Sequence, residues 1–416
     1  MHLPRSRSFW AAALAHMTND VFMSMGPVLL TFFSAHLLPI SNTEIGIAIS
    51  AQQLAGAVSQ PLFGWWADRG GWRRGRWLGA VGVMWVIGGV LLSVALATTG
   101  QFWLMMIPFA LAALGSGAFH PVGTALAADD DATYAASNLS IFFLLGQSGL
   151  ALGPAVVGLL LDQANPAGTA ATNVLPVLLL GLIALPLPLL LGLALRGRDE
   201  AAPQPAAASD TTDRPRASWP VRGLLLLALM VTLRGLANPG VVTFIPRLFQ
   251  QQGWDPTQYG LITSSFWIAS GVAGVVFGQL ADRFDRRLIV GASLLLAVPA
   301  LFLLPVAEGQ ALSFALAIIL GGLTGGSHSV IVVLAQDLIP ARKGFASGVA
   351  LGFIFASGAF GSLIIGGLSD SLGLNSAFQI IAGVTVAAGL LALLLPAGQR
   401  TPPEPVEPLP VPAQAK

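Results

Sequence analysis

Seven polar side chains interrupt stretches that are otherwise almost wholly apolar: His16, Asn19, Asp20, His120, Arg234, Asn238 and His328. An ionisable group at bilayer depth costs a few kcal/mol or more, so each normally faces a cavity or a partner. His16 and Asp20 are spaced i, i+4, which places them on one helical face with Asn19 beside them, and Arg234 and Asn238 repeat the spacing. An imidazole next to a carboxylate is chemistry for taking up and releasing a proton near neutral pH. His120, in Gly115-Ser116-Gly117-Ala118-Phe119-His120-Pro121, and His328, in Gly325-Gly326-Ser327-His328, extend that set. Gln53, Ser264, Asn19 and Asn238 offer neutral contacts to a cargo, Trp267 a ring to stack on it, and Arg234 a positive charge.

The elements that must hold these residues are membrane helices. Hydrophobic residues make up 55% of the 416 and charged ones 9%, against roughly 45–50% and 25% in a soluble domain. The excess falls in twelve apolar spans, at about residues 9–37, 45–67, 77–98, 101–126, 136–161, 174–195, 220–249, 257–281, 287–305, 311–338, 346–368 and 376–396, most with the roughly 20 residues needed to cross the hydrocarbon core. An even number puts both termini on one side, and 18 of the 20 Lys and Arg residues fall there, which makes that side cytoplasmic. The basic loops orient helices, so no nucleic-acid partner is expected. There is no cysteine, hence no disulfide or thiolate chemistry, and no P-loop, metal-ligand pair or nucleophile-base motif appears. Neither an enzyme nor a cofactor or metal is expected.

An internal repeat organises the spans. Gly64-Trp65-Trp66-Ala67-Asp68-Arg69 returns 214 residues later as Gly278-Gln279-Leu280-Ala281-Asp282-Arg283. The same shift lays Thr43-Glu44-Ile45-Gly46 on Thr257-Gln258-Tyr259-Gly260 and Ser50 on Ser264. The glycines let a helix approach its neighbour closely. Asp68 and Asp282 end their helices at the cytoplasmic face, where a carboxylate can meet the positive N-terminus of a helix in the opposite half, near Phe345 or Ala136, with Arg69 and Arg283 competing for it. Asp20 also falls on Arg234, which sets an acid opposite a base at equal depth and leads us to expect a direct or water-bridged pair. The boundaries that follow are 1–195 for one six-helix bundle, 196–219 for an Ala/Pro-rich cytoplasmic linker, 220–400 for the second bundle and 401–416 for a proline-rich disordered tail.

Two parallel six-helix repeats with these GxxxDR loops resemble the major facilitator superfamily over nearly the whole chain, which implies a central cargo site between the halves. Gly149-Leu150-Ala151-Leu152-Gly153-Pro154 resembles the GxxxGP motif of antiporters in that superfamily. More narrowly, His16-Met17-Thr18-Asn19-Asp20, Gln53-Leu54-Ala55 with Gln60-Pro61, Phe119-His120-Pro121 and Ala335-Gln336-Asp337-Leu338-Ile339-Pro340 are similar to the fosmidomycin-resistance group. That resemblance implies export from a bacterial cytoplasm in exchange for protons; the chain departs from the group at Val122, where an acidic residue is expected. The expectation is an all-α, multi-pass inner-membrane protein of twelve helices in two pseudo-symmetric bundles, monomeric and in contact with lipid. It would export a small organic molecule or drug by alternating access at the expense of the proton gradient. The alternative is proton-coupled uptake of a sugar or organic anion on the same fold.

Overall fold

The computed structural model describes residues 4, 6–128, 135–166, 171–194, 221–339 and 343–396. The linker 196–219 and the tail 401–416 lie outside the described residues, as does the side chain of Asp68. Every regular element described is helical: α1 (Arg7–Ser24), α2 (Gly26–His36), α3 (Asn42–Ala97), α4 (Phe102–Ala128), α5 (Ala135–Ala164), α6 (Leu175–Ala184), α7 (Leu187–Ala194), α8 (Val221–Gly235), α9 (Val241–Gln251), α10 (Pro256–Arg283), α11 (Arg286–Leu303), α12 (Gln310–Gly325), α13 (His328–Leu338), α14 (Lys343–Leu372) and α15 (Leu374–Leu393). A π-helical turn, Leu236–Gly240, joins α8 to α9. Among the described residues, nine helical spans are long and apolar enough to cross a membrane. Large apolar side chains such as Ile183, Leu225 and Trp103 are exposed on the outside of the helices, where lipid rather than water is their solvent.

Several predicted spans divide or merge, each for a local reason. The span 9–37 breaks at Met25, because Pro27 starts a new helix at the second position of α2. The span 174–195 breaks between α6 and α7, where Pro186 and Pro188 interrupt the ladder. Spans 45–67 and 77–98 are both assigned to α3, yet they lie against α4 in opposite senses. Gly56 and Gly64 face Ala113 and then Pro121, whereas Gly75, Gly82 and Gly89 face Val122, then Ala118, then Ala112. The chain therefore turns back on itself between Gly64 and Gly75, and the two predicted spans are its two arms.

The 214-residue repeat continues into the helix starts. Ser41 caps α3 by accepting the Glu44 N–H at 3.1 Å, and Glu44 returns a bond to the Ser41 N–H at 2.8 Å. Asp255 and Gln258 form the same reciprocal box at the start of α10, at 2.7 and 3.1 Å. Each box satisfies two N–H groups that the first turn leaves without intrahelical partners.

These two starts are where the helices before residue 195 meet those after residue 220. Asp370, near the end of α14, accepts the Asn42 and Thr43 N–H groups at 2.9 and 2.8 Å, so a carboxylate sits on the positive end of α3. Arg247 of α9 reinforces the junction, donating to Asn42 Oδ1 at 3.2 Å and to Ser34 Oγ at 2.7 Å. On the pseudo-symmetric side, Thr257 Oγ1 at the start of α10 donates to Asp162 Oδ2 of α5 at 2.7 Å. From this end the two groups stay in contact along α3 and α14 through Gly46 on Ser362, the Ser50 hydroxyl on the Ala359 carbonyl at 2.5 Å and Gln53 against Gly358. Along α5 and α10 they stay in contact through Gly158 on Pro256 and Gln147 against Gly271. Further along α10 and α14, away from these starts, added methyl groups on Gly274, Gly278 and Gly352 would meet nothing within 4 Å. The molecule is closed at the end that carries the starts of α3 and α10, where these contacts between the two groups lie.

If Asp370 clasps the closed end, Asp370→Asn removes the charge on the α3 N-terminus, worth about 1.5–3 kcal/mol for charge-assisted bonds. The population should then move by roughly tenfold or more towards the state open at that end. Spin labels on cysteines introduced at the outer ends of α3 and α14, in a chain with no native cysteine, would report a longer distance; an unchanged distribution would remove Asp370 from the clasp.

Candidate functional site

The best-built polar cluster lies on α1, α4 and α5. His16 Nε2 stands 3.3 Å from Asp20 Oδ2, one helical turn along α1. His120 of α4 brings its Nε2 to 3.9 Å from Asp20 Oδ1, on the other side of the carboxylate. Backbone carbonyls fix both rings: His16 Nδ1–H donates to Phe142 at 3.0 Å, and His120 Nδ1–H to Ser116 at 2.9 Å. Asn19 completes the girdle, donating from Nδ2 to Asp20 Oδ1 at 2.8 Å and to Ser116 Oγ at 3.1 Å. The His16 side chain is 4% exposed, Asp20 12% and His120 25%, so the cluster is reached from the His120 side.

Packing explains why α1 can present these groups. The His16 ring lies flat on Phe142, centroids 4.2 Å apart, and edge-on to His120 at 5.0 Å. One turn along α5 from Phe142, the helix has no side chain at Gly146. A Cβ on Gly146 would overlap the ring, 2.8 Å from Nδ1, and one on Gly149 would stand 3.0 Å from Asp20 Cβ. Gly146, Gly149 and Gly153 form one bare stripe on which α1 is seated. The GxxxGP resemblance thus has a concrete meaning here: the close approach that brings Asp20 within reach of α4.

Arg234 behaves differently from the expectation. It is 1% exposed, at the last turn of α8. Its Nη2 donates to the Thr324 carbonyl at 2.6 Å and its Nε to Ser327 Oγ at 3.1 Å, both at the break between α12 and α13. Asn238, inside the π-helical turn, donates to Thr324 Oγ1 at 2.9 Å. Among the described residues no ion pair joins Asp20 to Arg234. The pseudo-symmetry sets them at corresponding positions, but each turns into its own group of helices, Asp20 towards α4 and α5, Arg234 towards α12 and α13. The interrupted helix supplies the partners that the acid would have been. His328, the first residue of α13, is half-buried within electrostatic range of Arg234 and does not join the His16–Asp20–His120 cluster.

The remaining predicted contacts are distributed along the closed seam. Gln53 Oε1 and Ser264 Oγ are buried without a hydrogen-bond partner, as is Gln147 Oε1. Trp267 is half-buried, its ring edge-on to Phe266 at 5.7 Å. The two GxxxDR tracts stand at the end opposite the starts of α3 and α10. Gly64 packs on Pro121, Arg69 lies 3.9 Å over the Trp65 ring, Gly278 is open, and Asp282 and Arg283 are exposed. Sequence reasoning missed Ser116, Thr324, Ser327, Arg247, Asp162 and Asp370. The small hydroxyls carry no pattern, and Asp370 meets backbone N–H groups some three hundred residues away.

The profile of the Major Facilitator Superfamily matches residues 8–248 and 227–415. The chain belongs to the major facilitator superfamily. It is therefore a multi-pass membrane transporter rather than an enzyme. The fosmidomycin resistance protein of Escherichia coli (strain K12) is 26% identical over 393 residues, 93% of this chain and 92% of that one. Among solved structures, a bacterial homolog of the human lysosomal transporter Spinster, inward-facing and occupied, superposes with a TM-score of 0.74 at 14% identity, covering 93% of this chain and 96% of that one. A D-xylose–proton symporter does so with a TM-score of 0.73 at 16% identity, covering 93% and 97%. At such identities these two structures establish the major facilitator fold.

The glycine stripe gives a direct check on the cluster. Gly146→Ala should cost about 1–3 kcal/mol through overpacking and displace His16, whereas Gly274→Ala, with open space around it, should leave thermal stability in detergent unchanged. Equal melting of the two variants would mean that His16 is not seated on α5.

Proposed function

We propose that this chain exports a small organic molecule from a bacterial cytoplasm in exchange for protons, by alternating access between units 1–195 and 220–400 joined by the linker 196–219. The carrying observation is the Asp20 carboxylate held between the imidazoles of His16 and His120 and reached past the more exposed His120 ring. A carboxylate flanked by two imidazoles is a proton site near neutral pH, and the similarity to a resistance protein supports export. With the termini and the basic loops in the cytoplasm of an inner-membrane protein, a conformation clasped at the starts of α3 and α10 would be the inward-facing one. Cargo would enter between the groups and meet Asn19, Gln53, Ser264, Trp267, Asn238 and Arg234. In the outward-open state Gly64, Asp68 and Arg69, with Gly278, Asp282 and Arg283, would close the cytoplasmic end. His328 would serve as an accessory proton site beside Arg234. The unit acts as a monomer in lipid.

Linkage fixes the sign of the coupling, because cargo must lower the affinity for the proton by the same factor as the proton lowers the affinity for cargo. A cationic or strongly donating group on the cargo, facing Asp20, meets that condition by displacing the proton. An uptake carrier for an organic anion is the second reading, favoured by Arg234, whose described partners are a carbonyl and a hydroxyl rather than an acid.

Proteoliposomes with an internal pH indicator, screened across cationic, neutral and phosphonate compounds, test the reading. Cargo entering should drive protons out; proton movement in the same direction as cargo would establish the second reading instead. Asp20→Asn should reduce gradient-driven transport by about tenfold or more, the usual range for loss of a positioned proton-transfer group, while leaving cargo exchange between the two faces. Wild-type gradient-driven transport by both Asp20→Asn and Arg234→Gln would remove both residues from the mechanism.

A further inference from the structure

His16 and His120 each commit Nδ1–H to a backbone carbonyl, so in the neutral rings both Nε2 atoms carry bare lone pairs. Both lone pairs are brought to Asp20, at 3.3 and 3.9 Å, and the three donor atoms all lie within 4.8 Å of one another. Three bases converging in a low-dielectric interior favour a positive charge among them, a proton or a metal ion. The 3.3 Å spacing is close to the edge of a tetrahedral coordination shell, about 3.4 Å for metal–ligand bonds of about 2.1 Å; the wider gaps, 3.9 Å and up to 4.8 Å, require the His120 ring, the most exposed of the three, to move inward as an ion binds. The outer contacts also have the form found around metal-bound histidines, where the second ring nitrogen donates to a carbonyl and so fixes the tautomer and aim of the first. Next to the carboxylate, Asn19 Oδ1 is buried and has no hydrogen-bond partner, which places an oxygen donor beside the cluster. Two imidazoles and one carboxylate are a donor set that suits borderline divalent ions.

We infer that His16, Asp20 and His120 form a binding site for a divalent first-row transition-metal ion, of which Zn²⁺ is the probe, with Asn19 as the neighbouring oxygen donor. The ion would bridge α1 and α4 on the exposed flank of Asp20. The spacing along the chain conceals this site, since His120 is supplied from a different helix. The inference is independent of cargo, direction and coupling, because binding is read without transport.

The test uses the full chain purified in detergent without a histidine tag. Its composition keeps the background low: there are five histidines and no cysteine. Calorimetric titration with Zn²⁺, and the visible absorption of Co²⁺ as a geometric reporter, should show one saturable site per chain with a low-symmetry, four- or five-coordinate spectrum. His120→Gln, on the most exposed ligand, and His16→Gln should each weaken binding by about tenfold or more, and Zn²⁺ should raise the melting temperature of the wild type but not of His120→Gln. His36→Gln should bind as the wild type does. Elution as a single monodisperse peak separates loss of the site from loss of the fold. The absence of a saturable site, or its survival in the His16→Gln/His120→Gln double variant, would overturn the inference while leaving the transport reading untouched.

Discussion

Polar groups in this molecule lie where hydrocarbon is the solvent, and the cost of leaving them unpaired there shapes the arrangement around each one. Asp20 is tolerated because two imidazoles and an amide converge on it. Arg234 is tolerated because α12 ends early and releases the Thr324 carbonyl and the Ser327 hydroxyl towards it. Departures from regular helix therefore coincide with the charged residues: the π-helical turn after Arg234 and the α12–α13 break beside it. In each group the backbone supplies what the opposite half does not.

The same physics accounts for how the molecule is held in one state. At the closed end, carboxylates from α14 and α5 reach the first turns of α3 and α10 in the other group. At the opposite end, the repeated GxxxDR tracts carry acids at the ends of α10 and of the first arm of α3, which in the proposed function would form an equivalent clasp in the alternative state. In the proposed function, locks of modest strength at opposite ends, which cannot both be made, would give two states separated by about a few kcal/mol. A cargo or a proton can shift such an equilibrium through its differential affinity. The close glycine contacts at Gly46 and Gly158 let the closed seam pack tightly without fixing it covalently.

Local features of this design were legible in the sequence. The apolar spans, the His16–Asp20 face and the paired GxxxDR tracts are visible because their period or repeat is carried by the chain itself. The 214-residue shift reached further than the tracts, since it also pairs the caps at Ser41 and Asp255. Partners chosen through space were not legible. That His120 rather than Arg234 faces Asp20 depends on how α4 lies against α1, and the seat for that contact is the absence of side chains at Gly146 and Gly149 on a third helix. The 214-residue shift lays Asp20 on Arg234 in the sequence, but register does not set the direction in which a side chain turns. Asp370 left no signal at all, because its partners are backbone N–H groups that every sequence possesses.

The central claim is that cargo and proton compete at Asp20. The most direct measurement is the pH change when cargo is added to detergent-solubilised protein in weakly buffered solution, where no membrane gradient contributes. The account predicts proton release on cargo binding by the wild type and none by Asp20→Asn. Proton uptake on binding, or release that persists in Asp20→Asn, would contradict it.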